Sequence, residues 1–130
     1  MAIKDRRAEV DGAIMGILQE NVPSVQWTRI FKGFQRQKGV SGSLVSDSID
    51  FEYDAKNQLL ATAKYTIIIA DPNNTDTVDS VADEVFELLD CDDLDGTVTI
   101  GLVRSIVYAS APTKAEAGAA LLNYEVKYYV

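Results

Sequence analysis

Histidine is absent from this 130-residue sequence, and cysteine and tryptophan occur once each. Without His there is no Ser-His-Asp or Cys-His catalysis, and no HExxH-type or facial-triad metal site. The lone Cys91 permits neither an internal disulfide nor a thiolate zinc cluster. No Walker sequence and no GxGxxG motif is present. The longest aliphatic run, Ile67-Ile68-Ile69-Ala70, is far shorter than the roughly 18 apolar residues of a membrane span. The first twenty residues alternate charges and lack the apolar block of a secretory signal, so we expect a soluble domain made without export by that route. These absences favour a structural or binding role over catalysis.

The length suits one domain over residues 1–130, and 47% hydrophobic content suits a packed core. Charge is unevenly spread. The formal net charge is -8, from 20 acidic and 12 basic residues. Residues 71–95 hold ten acids and no Lys or Arg, whereas residues 4–38 hold seven bases against four acids. One anionic and one cationic region can attract copies of the chain, or charged neighbours, in a preferred orientation. The plain alternative is two solvated faces. A dedicated DNA-binding surface is disfavoured, because the net charge repels phosphate.

Residues 5–20 read as a helix, with Val10, Ile14, Ile17 and Leu18 on one stripe and Pro23 ending it. Val25, Trp27 and Phe31 share a parity that predicts a strand over 24–32. Residues 33–43, polar and glycine-rich, read as a long basic loop. Ile49, Phe51 and Tyr53 alternate with Asp50, Glu52 and Asp54, predicting a strand with one buried and one wet face. Residues 58–70 continue the alternation. Opposing Asp54 to Gln58 pairs Tyr53 with Leu59, Phe51 with Ala61 and Ile49 with Ala63, across a three-residue loop with Asn57 near the left-handed conformation. A second helix is expected over 76–89, its apolar stripe opposite its carboxylates. A strand over 97–108 should place Val98, Ile100, Leu102, Ile106 and Tyr108 on one face. The terminal strand alternates Leu122, Tyr124, Val126, Tyr128 and Val130. The order α-β-β-β-α-β-β predicts an α+β fold, with two helices packed on a mainly antiparallel, twisted five-stranded sheet.

Candidate chemistry fails on inspection. The acids around Asp92, Asp93 and Asp95 resemble a calcium loop, but aligning Gly96 with the loop glycine puts Cys91 first and Leu102 last, where carboxylates are needed. Asp50, Glu52 and Asp54 lie on a wet parity that raises no pKa. Ser41 and Ser43 have no His to activate them. Catalytic, cofactor-binding and metal residues are therefore all expected to be none. Trp27, Tyr124 and Tyr128 read as core, and Tyr129 as exposed.

The helix over 5–20, the polar loop over 33–43, the hairpin over 48–70, the second helix after Asp71-Pro72-Asn73-Asn74 and the alternating last strand resemble the tail terminator or tail-completion (head–tail joining) proteins of tailed bacteriophages. That resemblance implies a non-enzymatic virion protein, made in the host cytoplasm. It would form a ring, typically hexameric, that caps the tail tube and meets the head connector. The implied partners are further copies of the chain, the tube protein and the connector or neck protein, with no membrane and with DNA only passing through a lumen. A ring needs one patch to meet a different patch on the next copy. The basic residues Arg29, Lys32, Arg36 and Lys38 and the acidic residues Asp79, Asp83, Glu87 and Asp90 are the candidates. The alternatives are another phage neck or tail-tube component, or a small acidic ligand-binding or enzymatic α+β domain.

Overall fold

The computed structural model describes residues 3–29, 39–71, 75–110 and 118–130. Its elements run α1 (Ile3–Asn21), β1 (Gln26–Thr28), β2 (Ser41–Tyr53), β3 (Leu59–Asp71), α2 (Thr75–Leu89), β4 (Ile100–Ser110) and β5 (Gly118–Tyr129). The strands form one sheet in the order β1-β2-β3-β5-β4. Only β1 and β2 are parallel; every other neighbouring pair is antiparallel. This is the α+β architecture read from the sequence.

The hairpin has the expected register, with Tyr53 opposite Leu59, Phe51 opposite Ala61 and Ile49 opposite Ala63. Asn57 has a φ of 58°, which a short amide side chain tolerates better than most. The Asp54 N–H donates to the Gln58 carbonyl at 3.0 Å, and the Asp54 carboxylate accepts the Lys56 and Gln58 N–H groups at 2.8 and 2.9 Å. Those N–H groups, Gln58 first, hold the Asp54 carboxyl below its ordinary pKa.

One hydrophobic cluster joins Val10, Ile14 and Leu18 of α1 and Val78, Val81, Ala82, Val85 and Leu89 of α2 to a single parity of the central strands. That parity supplies Ala61, Ala63, Tyr65, Ile67 and Ile69 from β3, and Leu122, Tyr124, Val126 and Tyr128 from β5. Both helices therefore cover one face of the sheet, and the period-2 pattern of β3 and β5 decides which. Tyr129 is exposed, as its parity requires.

Four expectations are corrected. The first strand spans only Gln26–Thr28, and of the remaining residues assigned to it 30–32 lie outside the described residues. Ser41, Gly42 and Ser43, read as loop, open β2 instead. Gly42 is needed there because the Trp27 ring fills the space a Cβ would take. Phe51 and Tyr53, expected on a buried face, are 42% and 70% exposed. Their parity is right, but the helices do not extend over that end of the hairpin. Finally, Ile100 and Leu102 do not share a face with Ile106 and Tyr108. Ile100 and Leu102 pair with Lys127 and Glu125, whereas Ile106 and Tyr108 pair with Leu122 and Ala120.

A β-bulge causes that last change. β4 shifts register between Val103 and Ser105, and β2 does so between Ser46 and Ser48. The extra residues, Arg104 and Asp47, each switch the parity of their strand. Both bulges adjoin the same row of the sheet, Ser46–Tyr65–Tyr124–Val103.

Candidate assembly surfaces

Amphipathicity fixes what α2 shows to solvent. With Val78, Val81, Val85 and Leu89 packed on the sheet, Asp79, Asp83, Glu84 and Glu87 are left exposed. No basic residue lies in the last turn of α1 or of α2. A shallow groove of about 310 Å³ separates the end of α1 from α2, lined by Asn21, Val22, Glu84, Glu87 and Leu88. The partial negative charge of the helix ends adds to these two carboxylates, so the groove favours cationic groups.

Asp90 sits differently from the other α2 acids. Its carboxylate accepts the Val103 N–H at 2.9 Å and the Cys91 thiol at 3.7 Å. It thus ties the helix exit to the start of β4. Next to it, the Gly101 N–H donates to the Asp92 carbonyl at 2.8 Å, in an isolated antiparallel bridge on the side of β4 away from β5. Among the described residues, no group of three or more His, Cys, Asp and Glu side chains is placed to hold a metal ion.

On the basic side, Lys32, Arg36 and Lys38 lie outside the described residues. Arg29 is exposed but engaged within the chain. Its Nη1 lies 3.3 Å from Asp11 Oδ2, and its Nε donates to the Leu44 carbonyl at 3.2 Å. Asp11 also accepts a hydrogen bond from the buried Tyr65 hydroxyl. This polar cluster joins α1, β2, β3 and the exit from β1. Burial first, and then the Asp11 carboxylate, push the Tyr65 phenol well above its ordinary pKa.

The open face of the sheet carries a depression of about 250 Å³ between the bulges, lined by Asp47, Lys64, Arg104, Asn123 and Glu125. Its charged groups have partners within the chain. Lys64 lies 3.8 Å from Asp50, Arg104 lies 3.4 Å from Glu125, and the Thr66 hydroxyl donates to Asp47 at 2.6 Å.

The two margins of the sheet are the least covered regions. β1 pairs only with Ser41, Gly42 and Ser43, so from Asp47 to Tyr53 β2 has no second strand beside it among the described residues. Apart from the half-buried Ile49, those residues are exposed. On the other margin, Val107 and Tyr108 of β4 are 52% and 56% exposed.

The fold has known counterparts. A chain solved as part of the virion of a native gene transfer agent particle superposes with a TM-score of 0.63 at 16% identity, over 92% of this chain and 93% of that one. A second solved protein matches with a TM-score of 0.51 at 17% identity, over 100% of this chain and 99% of its own. At such identities the likeness is one of fold. No protein-family model and no curated protein matches the sequence. No helix among the described residues is long and apolar enough to cross a membrane.

Of the expected interface residues, Asp79, Asp83 and Glu87 share the exposed side of α2, while Asp90 and Arg29 are engaged within the chain. Sequence reasoning missed Asp11. Its spacing, three residues before Ile14 and seven before Leu18, places it on the buried side of α1, and that signal was available. It also missed the exposed aromatic residues at the sheet margins, whose parity gives no hint of where the helices stop.

Proposed function

We propose that the chain is a non-enzymatic virion protein of a tailed phage or phage-like particle, a single tail-terminator-like domain acting at the junction of tail and head. Copies form a ring, hexameric in this reading, that caps the tail tube, halts its growth and presents a surface to the head connector. The observation that carries the proposal is the end-to-end fold likeness, over 92% of this chain, to a polypeptide of a gene transfer agent virion. The mechanism is geometric: a ring whose outer side does not template another tube layer stops elongation. The acidic side of α2, with Asp79, Asp83 and Glu87, supplies one patch. The basic segment containing Lys32, Arg36 and Lys38 supplies the unlike patch on a neighbour, with Arg29 at its base and Asp90 bracing the acidic side. DNA enters this reading only by passage through the lumen.

The test is extension of purified tail tubes with and without this protein, scored by tube length in negative-stain images. Capping at a defined length supports the reading. Tubes that elongate unchanged, or that incorporate the chain along their length, refute it, and the second result identifies a tube component instead.

A further inference from the structure

Hydrogen bonds in an antiparallel pair alternate between bonded and non-bonded residue pairs. The Asp54 N–H bonds the Gln58 carbonyl at 3.0 Å, so the pair beyond it, Tyr53 and Leu59, is non-bonded. The alternation then leaves Glu52 and Asp50 bonded to β3 and turns the N–H and C=O groups of Tyr53, Phe51 and Ile49 toward the open margin. That margin is thus a row of main-chain donors and acceptors, flanked on the helix side by the exposed Phe51 and Tyr53 rings. Rows of this kind accept an added strand.

The opposite margin offers such a strand. The first outward N–H groups of β4, at Gly101 and Val103, are taken by Asp92 and Asp90. Beyond the bulge, the stretch from Ser105 to Ala109 is bordered only by β5 among the described residues, and all but the half-buried Ile106 are exposed. In the sheet order β1-β2-β3-β5-β4, β2 and β4 run in opposite directions. A second copy set beside the first in the same orientation therefore continues the sheet as an antiparallel pair.

Charge favours this pairing over a β2–β2 contact. β2 carries Asp47, Asp50 and Glu52 and no base, whereas β4 carries Arg104 and no acid. A β2–β2 contact sets acids against acids, while β2 against β4 brings Arg104, held beside Glu125 of its own chain, toward the β2 acids. Disfavouring the β2–β2 contact favours head-to-tail association, the kind of contact that generates a ring when the rotation between copies closes.

We propose that the β2 edge from Asp47 to Tyr53 is a docking site for the β4 edge from Arg104 to Ala109 of a second copy of this chain. This rests on the ring reading above and adds a main-chain contact between neighbouring copies to the charged patches named there.

The test measures assembly of the full chain by light scattering across a concentration series, alone and on tail tubes. Amide hydrogen exchange is read at Ile49, Phe51 and Tyr53. Asp50→Lys with Glu52→Lys, or Arg104→Glu, is expected to raise the concentration for half-assembly roughly tenfold, and combining them to restore it. Circular dichroism of each variant separates a lost interface from a lost fold. Phe51→Pro, which removes an outward N–H together with a largely exposed ring and breaks no bond to β3, is expected to block assembly with the monomer intact, and Phe51→Ala, which keeps the N–H, to block it less. Assembly that leaves those three amides unprotected and ignores both charge reversals overturns this assignment while the ring reading stands. A chain that assembles neither alone nor on tubes overturns both.

Discussion

Replacing Asp11 by Ala tests whether the polar cluster at the root of α1 holds the layers together. The Tyr65 hydroxyl is buried and donates to the Asp11 carboxylate, and a hydrogen bond to a charged acceptor contributes about 1.5–3 kcal/mol. The Arg29 ion pair adds less, under about 1 kcal/mol, because the arginine side chain is 41% exposed and solvent screens it. Asp11→Ala strips the phenol of its acceptor and the guanidinium of its partner at once, so a loss of about 2–4 kcal/mol is expected. Tyr65→Phe removes the donor but leaves the carboxylate with Arg29, for a loss of about 1–2 kcal/mol. The double variant should then fall short of the sum by about 1–2 kcal/mol, the coupling of residues in direct contact. Trp27 reports the transition: it is the sole tryptophan, half-buried, with its indole N–H bonded to the Val22 carbonyl at 3.0 Å. Urea unfolding followed by its fluorescence gives each stability with an unchanged slope. If Asp11→Ala costs less than about 0.5 kcal/mol, as an ordinary surface substitution does, the cluster is not a structural tie. Strict additivity would refute the direct coupling.

The other expectations concern packing, the hairpin turn and alkaline pH. Gly101→Ala drives a methyl group into the Tyr124 ring and hydroxyl, since the ring Cζ lies 2.9 Å from the point such a Cβ would occupy, and is expected to destabilise by about 1–3 kcal/mol in urea unfolding. Asn57→Ala should cost about 1 kcal/mol through its left-handed backbone, and Asn57→Gly should be neutral or stabilising; thermal melts of both variants decide. Burial raises the phenols of Tyr65 and Tyr124 above their ordinary pKa of 10.0. Above that pH the unfolded chain binds fewer protons than the folded one, so stability falls as pH rises. In a near-ultraviolet absorbance titration, these two of the six tyrosines should ionise only when the chain unfolds.

The hairpin register was legible because the one-residue slip of a two-residue loop would take Ile49, Phe51 and Tyr53 off the face of Leu59, Ala61 and Ala63, which a three-residue loop keeps together. The stripe of α2 was legible for the same kind of reason, and its bounds, Thr75–Leu89, differ from the expectation by one residue. Bulges leave no such trace. The apolar residues on either side of Arg104 keep one parity in the sequence, so nothing in the alternation announces that Ile100 and Leu102 face the other way from Ile106. Coverage is equally silent. Whether Phe51 is buried depends on where the helices stop over the sheet, and not on its own neighbours in the chain. For the candidate surfaces, the acidity of α2 was plain. The β2 margin was hidden by the Gly-Ser text at its start, which reads as loop until Trp27 is seen to need Gly42.

The paired bulges make the molecule sensitive to single-residue length changes in an uneven way. Deleting Asp47 or Arg104 would not shorten a loop. It would restore one uninterrupted alternation and so turn half a strand inside out, sending Leu44 or Ile106 toward water. An added residue in the 55–57 turn would leave both halves of the sheet as they are. Length variation in this scaffold is thus tolerated at the hairpin tip and forbidden at its waist.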